Sequence, residues 1–392
     1  MNPSLFDELE RTLTTEGASA ALDRLCTRLR ERQDYDNLFY ARLMAKRYEL
    51  GVSPVPTAPT SDVPPERQGE FEETIRRACR EVGGLYLEQG NIPQAWMYYR
   101  MVGDSVPVEQ ALDEARPDEG QDLEPLIQIA LYEGVLPRKG FDWVLTRYGL
   151  CSAITTLGGH QLPLTPEARQ YCVGRLVRTL YQELRDRLSA EIERQEGQPP
   201  PEASAPPTTL GLLRKLMAGR DWLFGDDAYH IDLSHLNSVV QMSLDLSPGD
   251  DLERARELCE YGQRLSRTYQ NPADPPFDDT YRDHGVYLAV LAGDNTEAGL
   301  AHFRAKVEAN PVEEAGTGPA EVLIQLLLRL GRPAEALAVA RRHLATADAQ
   351  RLAYLADLCQ KADDYTTLAE VAREQSNAVQ FMAGLLASRP KG

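Results

Sequence analysis

RRACREVGGLYLEQGNIPQAWMYYRMVGDSVPVE, residues 76–109, is the stretch on which the fold turns. Apolar and small side chains recur at three- and four-residue spacing on both sides of Gly90, the pattern of two helices separated by a turn. Gly83 and Ala95 are small enough for two antiparallel helices to approach closely. Tyr86 and Tyr99 are large enough to fill the space between such a hairpin and its neighbours. Gly90 stands where a helix end calls for a left-handed residue, and Pro107 lacks the amide that a continuing helix needs. The stretch therefore reads as a closed helical hairpin.

Outward from it the helical period continues almost everywhere, and strand-like alternation of β-branched residues is missing. Proline marks the joints. Residues 51–67 (GVSPVPTAPTSDVPPER) and 196–209 (EGQPPPEASAPPTT) hold five prolines each, too many for helix and with too little apolar content for strand. They divide the chain into N-terminal helices at 1–50, a linker at 51–67, a helical region at 68–195, a second linker at 196–209 and a helical repeat domain at 210–392. The short break NPADPP at 271–276 reads as a loop between hairpins.

Six positions of the 76–109 segment, Gly83, Tyr86, Gly90, Ala95, Tyr99 and Pro107, resemble the signature of a tetratricopeptide repeat, whose period is about 34 residues. Val102 departs from that pattern, since the family usually has alanine there. Weaker copies follow. Residues 321–344 repeat the helix, the Gly331 turn and the Ala336 and Ala340 spacing, residues 287–310 carry Gly293 and Ala298, and residues 352–375 turn at KADD. Residues 18–50, 126–148 and 239–265 read as helix pairs that have lost the signature. The resemblance implies an all-α chain, an α-solenoid of irregular tetratricopeptide-like hairpins whose concave surface, centred on the second half of the chain, holds a peptide or a partner's helix.

Charge narrows the classes of partner. The chain has 42 Lys and Arg against 60 Asp and Glu, a formal charge of -18, so its surface repels polyanions on average and nucleic acid is not an expected partner. The basic cluster at Arg24, Arg28, Arg30 and Arg32 is diluted by Asp23 and Glu31 and reads as a solvated helix face. No apolar run approaches the length of a membrane span, and Met1 leads into polar, acidic sequence with no signal-peptide pattern. The six cysteines lie at no metal-ligand spacing and suit a reducing compartment, so cytoplasmic residence is the expectation.

The chemical motifs are mostly missing: there is no phosphate loop, no dinucleotide fingerprint, no His-Glu-x-x-His and no Gly-x-Ser-x-Gly, so no catalytic residue, metal ligand set or cofactor is assigned. Gly158-Gly159 before His160 reads as a tight turn. One polar constellation stands out, DDAYHIDLSHL at 226–236, with Asp283 and His284 about fifty residues on. It gathers three of the six histidines. Tyr229, His230, Asp232, His235, Asp283, His284 and Tyr287 are the candidate binding residues, because imidazole and carboxylate bind polar ligands and suit zinc, iron or manganese. Against this, Asp232 or Ser234 is well placed to cap the helix carrying Val239 and Val240. Tyrosine outnumbers phenylalanine 17 to 8, and Tyr98, Tyr99, Tyr229, Tyr281 and Tyr287 suit either a peptide groove or the gaps between hairpins. The favoured expectation is a non-enzymatic interaction scaffold. The alternative is a metal-binding or hydrolytic enzyme using His230, Asp232, His235 and His284.

Overall fold

The computed structural model describes residues 4–55, 62–118, 120–159, 161–206, 208–225, 228–270, 273–344 and 349–389. It is 75% helix, and no strand occurs among the described residues. Two compact units result: one runs to Gly149 and regains the segment up to Ala168, and the other comprises Leu150–Gly159 and everything from Arg169 onward.

The first unit begins with α1 (Leu5–Glu16), α2 (Ala18–Glu31) and α3 (Tyr35–Glu49). Ser4 starts α1 with a reciprocal cap: the Asp7 amide donates to Ser4 Oγ at 3.2 Å and the Ser4 amide donates to Asp7 Oδ2 at 3.0 Å. Next come α4 (Gln68–Glu88) and α5 (Ile92–Met101), followed by α6 (Val106–Glu114) and α7 (Glu124–Ile127). The α4–α5 hairpin is antiparallel, since Gly83 of α4 faces Tyr99 of α5 while Arg80, one turn earlier, pairs with Asp104 beyond α5. Gly90 sits at φ 73° and its amide donates to the Leu87 carbonyl at 2.8 Å, after which Asn91 caps α5 by accepting from the Gln94 amide.

Gly83 is a point of close approach. A Cβ built there would lie 2.7 Å from Tyr99 Cε2, so the ring occupies the space that any larger residue needs. Tyr99 thus fills the gap within the hairpin, where the sequence pattern had it filling the gap to a neighbour. Tyr86 does reach a neighbour: its hydroxyl and that of Tyr98 both donate to Asp36 Oδ1 of α3, at 2.9 and 2.6 Å. Burial, aided by the Asp36 carboxylate, pushes the Tyr86 phenol up to about 12. Around this network one core joins α2, α3, α4 and α5 through Cys26, Leu38, Phe39, Cys79, Val82 and Tyr98.

Both units share α8 (Pro137–Gly159), whose backbone breaks at Gly149 with φ 81°, and α9 (Pro166–Glu196). The second unit then holds α10 (Leu212–Met217), α11 (Leu233–Met242), α12 (Asp250–Arg264), α13 (Thr280–Leu291) and α14 (Thr296–Ala309). It ends with α15 (Val312–Ala315), α16 (Gly318–Arg329), α17 (Pro333–His343), α18 (Ala349–Ala362), α19 (Tyr365–Glu374) and α20 (Ala378–Ala387). Despite its many charges, α9 buries one seam, Cys172, Leu176, Leu180, Leu184, Leu188 and Ile192, at four-residue spacing.

The proline-rich stretch 196–209, a linker by composition, lies inside the second unit. Side chains hold it there: Arg185 donates to the Ala205 carbonyl and Arg254 to the Thr208 carbonyl, each at 3.4 Å. Just beyond it, the fully buried Glu257 of α12 receives the amides of Gly211 at 2.7 Å and Leu213 at 3.0 Å, and the Tyr181 hydroxyl at 2.9 Å. A carboxylate at the start of α10 satisfies amides that a helix leaves open and meets the positive end of its dipole. The α16–α17 hairpin repeats the turn seen at Gly90, with Gly331 at φ 71° followed by Pro333 in the first turn of α17. Among the described residues no helix is long and apolar enough to cross a membrane.

Candidate functional site

The polar constellation of the second unit is occupied by its own contacts. Asp232 is the N-cap of α11: its Oδ1 accepts from the Ser234 amide at 2.8 Å, the Ser234 hydroxyl at 2.6 Å and the His235 amide at 3.3 Å. These bonds hold its carboxyl below the usual carboxylate range. His235 is half-buried in the first turn behind it. His230 donates its amide to the Tyr261 hydroxyl at 2.9 Å, and its Nδ1 lies 3.2 Å from the same oxygen. Burial lowers the His230 pKa.

On α13 the same economy holds. Asp283 is buried and both of its oxygens are taken: Oδ1 by His302 Nε2 at 2.7 Å, Oδ2 by Lys306 Nζ at 2.9 Å and by the Asp279 amide at 2.9 Å. His284 stacks on Phe277 with ring centroids 4.1 Å apart and donates from Nδ1 to the Thr280 carbonyl at 2.7 Å. Burial lowers its pKa to about 4, so the ring is neutral at physiological pH. Tyr287 is buried edge-on to Phe303, whereas Tyr229 is exposed and edges against Tyr269. Tyr98, Tyr99 and Tyr281 are buried as well. No group of three or more His, Cys, Asp or Glu that could hold a metal is gathered among the described residues. Asp226, Asp227 and His160 lie outside them.

An open groove lies elsewhere, in the first unit, where the sequence pattern drew no attention. It encloses about 870 Å³. Leu5 and Phe6 of α1 line it with Leu25 and Leu29 of α2, and α3 contributes Phe39, Tyr40, Leu43 and Met44. Phe71 and Ile75 of α4 and Met101 of α5 complete the apolar wall. Three of these side chains stand in solvent: Phe6 is 76% exposed, Tyr40 64% and Met101 63%. The signal was present in α3, which is apolar on two faces. Leu38, Phe39 and Ala41 serve the core, and Tyr40, Leu43 and Met44 form a second stripe at three- and four-residue spacing.

The groove also has a polar end. Arg47, one turn beyond Leu43 and Met44 on the same stripe, lines it although it is only 2% exposed. Its Nε donates to the Ser53 carbonyl at 2.7 Å and its Nη2 pairs with the Asp62 carboxylate, which that contact holds below the usual range. Its Nη1 is buried and has no hydrogen-bond partner among the described residues. A buried donor left unpaired costs about 1–3 kcal/mol, and native proteins rarely carry one without a reason. Arg32, also on the lining, is exposed and its side chain pairs with no carboxylate among the described residues.

An all-helical protein with an apolar, arginine-ended groove is the class that fold and site define. No protein-family model matches the chain, and neither the curated proteins nor the solved structures give a match.

Proposed function

We propose that the chain is a non-enzymatic interaction scaffold of the tetratricopeptide type, and that its first unit seats a peptide or helix of a partner protein in the α1–α5 groove. The observation that carries the reading is the wall of the groove, with Phe6, Tyr40 and Met101 all more than half exposed around an apolar cleft. Apolar area left in water forgoes about 25 cal/mol per Å², and contiguous patches of this kind on soluble proteins mark binding surfaces. The resemblance of the α4–α5 hairpin to a tetratricopeptide repeat agrees with it. The polar groups on α11 and α13, by contrast, are spent on caps and internal hydrogen bonds, which leaves them little to offer a ligand.

Site-specific photo-crosslinking in the native host tests the proposal. A crosslinker replacing Tyr40 is expected to give a discrete adduct that maps to one segment of another polypeptide, and the same crosslinker at the solvated Glu193 is expected to give none. Diffuse labelling equal at both positions refutes it.

A further inference from the structure

We infer that the chain pairs with a second copy of itself through the outer face of α20, the two helices crossing antiparallel with Val379 of one against Leu386 of the other. The pairing uses no residue of the first-unit groove and stands apart from its reading.

α20 reads AVQFMAGLLA, ten residues without a charge, and Asn377 caps it by accepting from the Gln380 amide at 3.0 Å. One side of it is spent on α19. A Cβ on the buried Gly384 would lie 2.9 Å from the Tyr365 carbonyl oxygen and from the Ala369 amide nitrogen, so the two backbones are in contact. Phe381, one turn earlier, lies under the Arg373 guanidinium at 4.7 Å, so α20 runs back along α19. The opposite side is in water. Val379 is 80% exposed and Leu386 57%, and Met382 and Ala383 are exposed between them. These four stand at i, i+3, i+4 and i+7, the stripe that a helix buries against a neighbour.

Size and charge both point to a copy of this chain as that neighbour. In an antiparallel pair centred between Met382 and Ala383, Val379 faces Leu386 and Met382 faces Ala383. A larger side chain then meets a smaller one at every step, as interdigitating helices require, whereas a parallel pair sets Met382 on Met382. Glu374, which ends α19, and Arg389, just past α20, are exposed, and neither side chain has a hydrogen bond or ion pair among the described residues. Antiparallel crossing brings Arg389 of each copy to the Glu374 end of the other, twice by symmetry.

A membrane surface fits less well. Residues 376–392 hold Arg389 and Lys391 and no acid, but the whole chain carries -18, which an anionic bilayer repels. An interfacial helix also carries Lys and Arg along its polar side, whereas α20 has none and turns that side to α19. Four side chains on ten residues fall short of the roughly 800 Å² per partner of a standard interface, so the pairing is reversible, with a Kd of roughly 100 μM.

Sedimentation velocity on the full chain, from about 5 to about 500 μM, tests the pairing. The weight-average mass is expected to climb from 43.7 kDa toward twice that value. Met382→Glu sets two carboxylates together at the centre of the stripe and is expected to weaken association at least about 10-fold, with helicity by circular dichroism unchanged. Val379→Glu, at the most exposed position of the stripe, is expected to do the same. Glu374→Arg or Arg389→Glu alone is expected to weaken it about 2- to 5-fold, and the two together to restore it. A mass fixed at 43.7 kDa throughout overturns the inference, as does association that both stripe variants leave intact. Growth past the dimer overturns it too, because a self-complementary face closes on itself. So does a monomer whose α20 binds phosphatidylserine vesicles instead. Single charge variants without effect overturn the antiparallel crossing.

Discussion

Gly83 and Gly84 are neighbours inside α4, and alanine at the two positions is expected to act with opposite sign. Alanine improves a helix interior over glycine by about 0.9 kcal/mol, and that gain is common to both. At Gly84 the nearest atom from outside the helix backbone, among the described residues, is the Tyr99 hydroxyl at 3.7 Å, an ordinary contact, so Gly84→Ala is expected to stabilise the first unit by most of that amount. At Gly83 the new methyl meets two atoms of the Tyr99 ring at 2.7 and 2.9 Å. Tyr99 is buried, and overpacking of this kind costs about 1–3 kcal/mol, so Gly83→Ala nets a loss of about 1 kcal/mol. The difference between the variants, about 2 kcal/mol, isolates the steric contact because propensity cancels. The assay is urea unfolding followed by the fluorescence of Trp96 on α5, with Trp143→Phe and Trp222→Phe removing the other two tryptophans. With a slope of about 2 kcal/mol per M, the two midpoints are expected to separate by about 1 M, in opposite directions from the parent. Midpoints that move together by the same amount refute the close apposition of α4 and α5.

Acid is expected to loosen the second unit before its carboxylates titrate. His284 has a folded pKa of about 4 against 6.5 unfolded, so its contribution is whole above pH 6.5 and fades as pH falls toward 4, with about 2 kcal/mol gone by pH 5. His230 is shifted in the same direction. Urea midpoints at pH 7 and pH 5 check this, and His284→Phe should flatten the difference; an unchanged difference in that variant removes His284 as its source. Glu257→Ala leaves the Gly211 and Leu213 amides and the Tyr181 hydroxyl without their acceptor, and is expected to cost about 3 kcal/mol, lowering the calorimetric Tm by several degrees. A shift under 1 °C contradicts the capping role. Asp232→Ala is expected to cost about 1 kcal/mol and Asp232→Ser far less, as for a helix cap, whereas equal losses point to a role for the carboxylate charge itself.

The helical hairpins were legible because their determinants are local. A glycine at each turn, a proline in the next first turn and a three-to-four apolar spacing act within one or two turns of chain, as at Gly90 with Pro93 and Gly331 with Pro333. The cap at Asp232 was legible for the same reason, since the side chain bonds amides two and three residues away. The partners of Asp283 were not. His302 and Lys306 lie 19 and 23 residues along on α14, and only the packing of α14 against α13 brings them to one carboxylate.

The sequence by itself determined that this chain is helical, where hairpins such as those at Gly90 and Gly331 turn, and that the formal charge is acidic, since propensity, capping and composition need no distant partner. Tertiary structure decided which apolar residues are spare. Leu38 and Tyr40 differ little in pattern, yet one is wholly buried in the core and the other is 64% exposed on the groove. Tertiary structure also decided which charges are satisfied: Arg47 finds the Ser53 carbonyl and the Asp62 carboxylate, six and fifteen residues along the chain. Burial and pairing are properties of elements meeting in space, and helical periodicity along one element cannot specify which neighbour arrives.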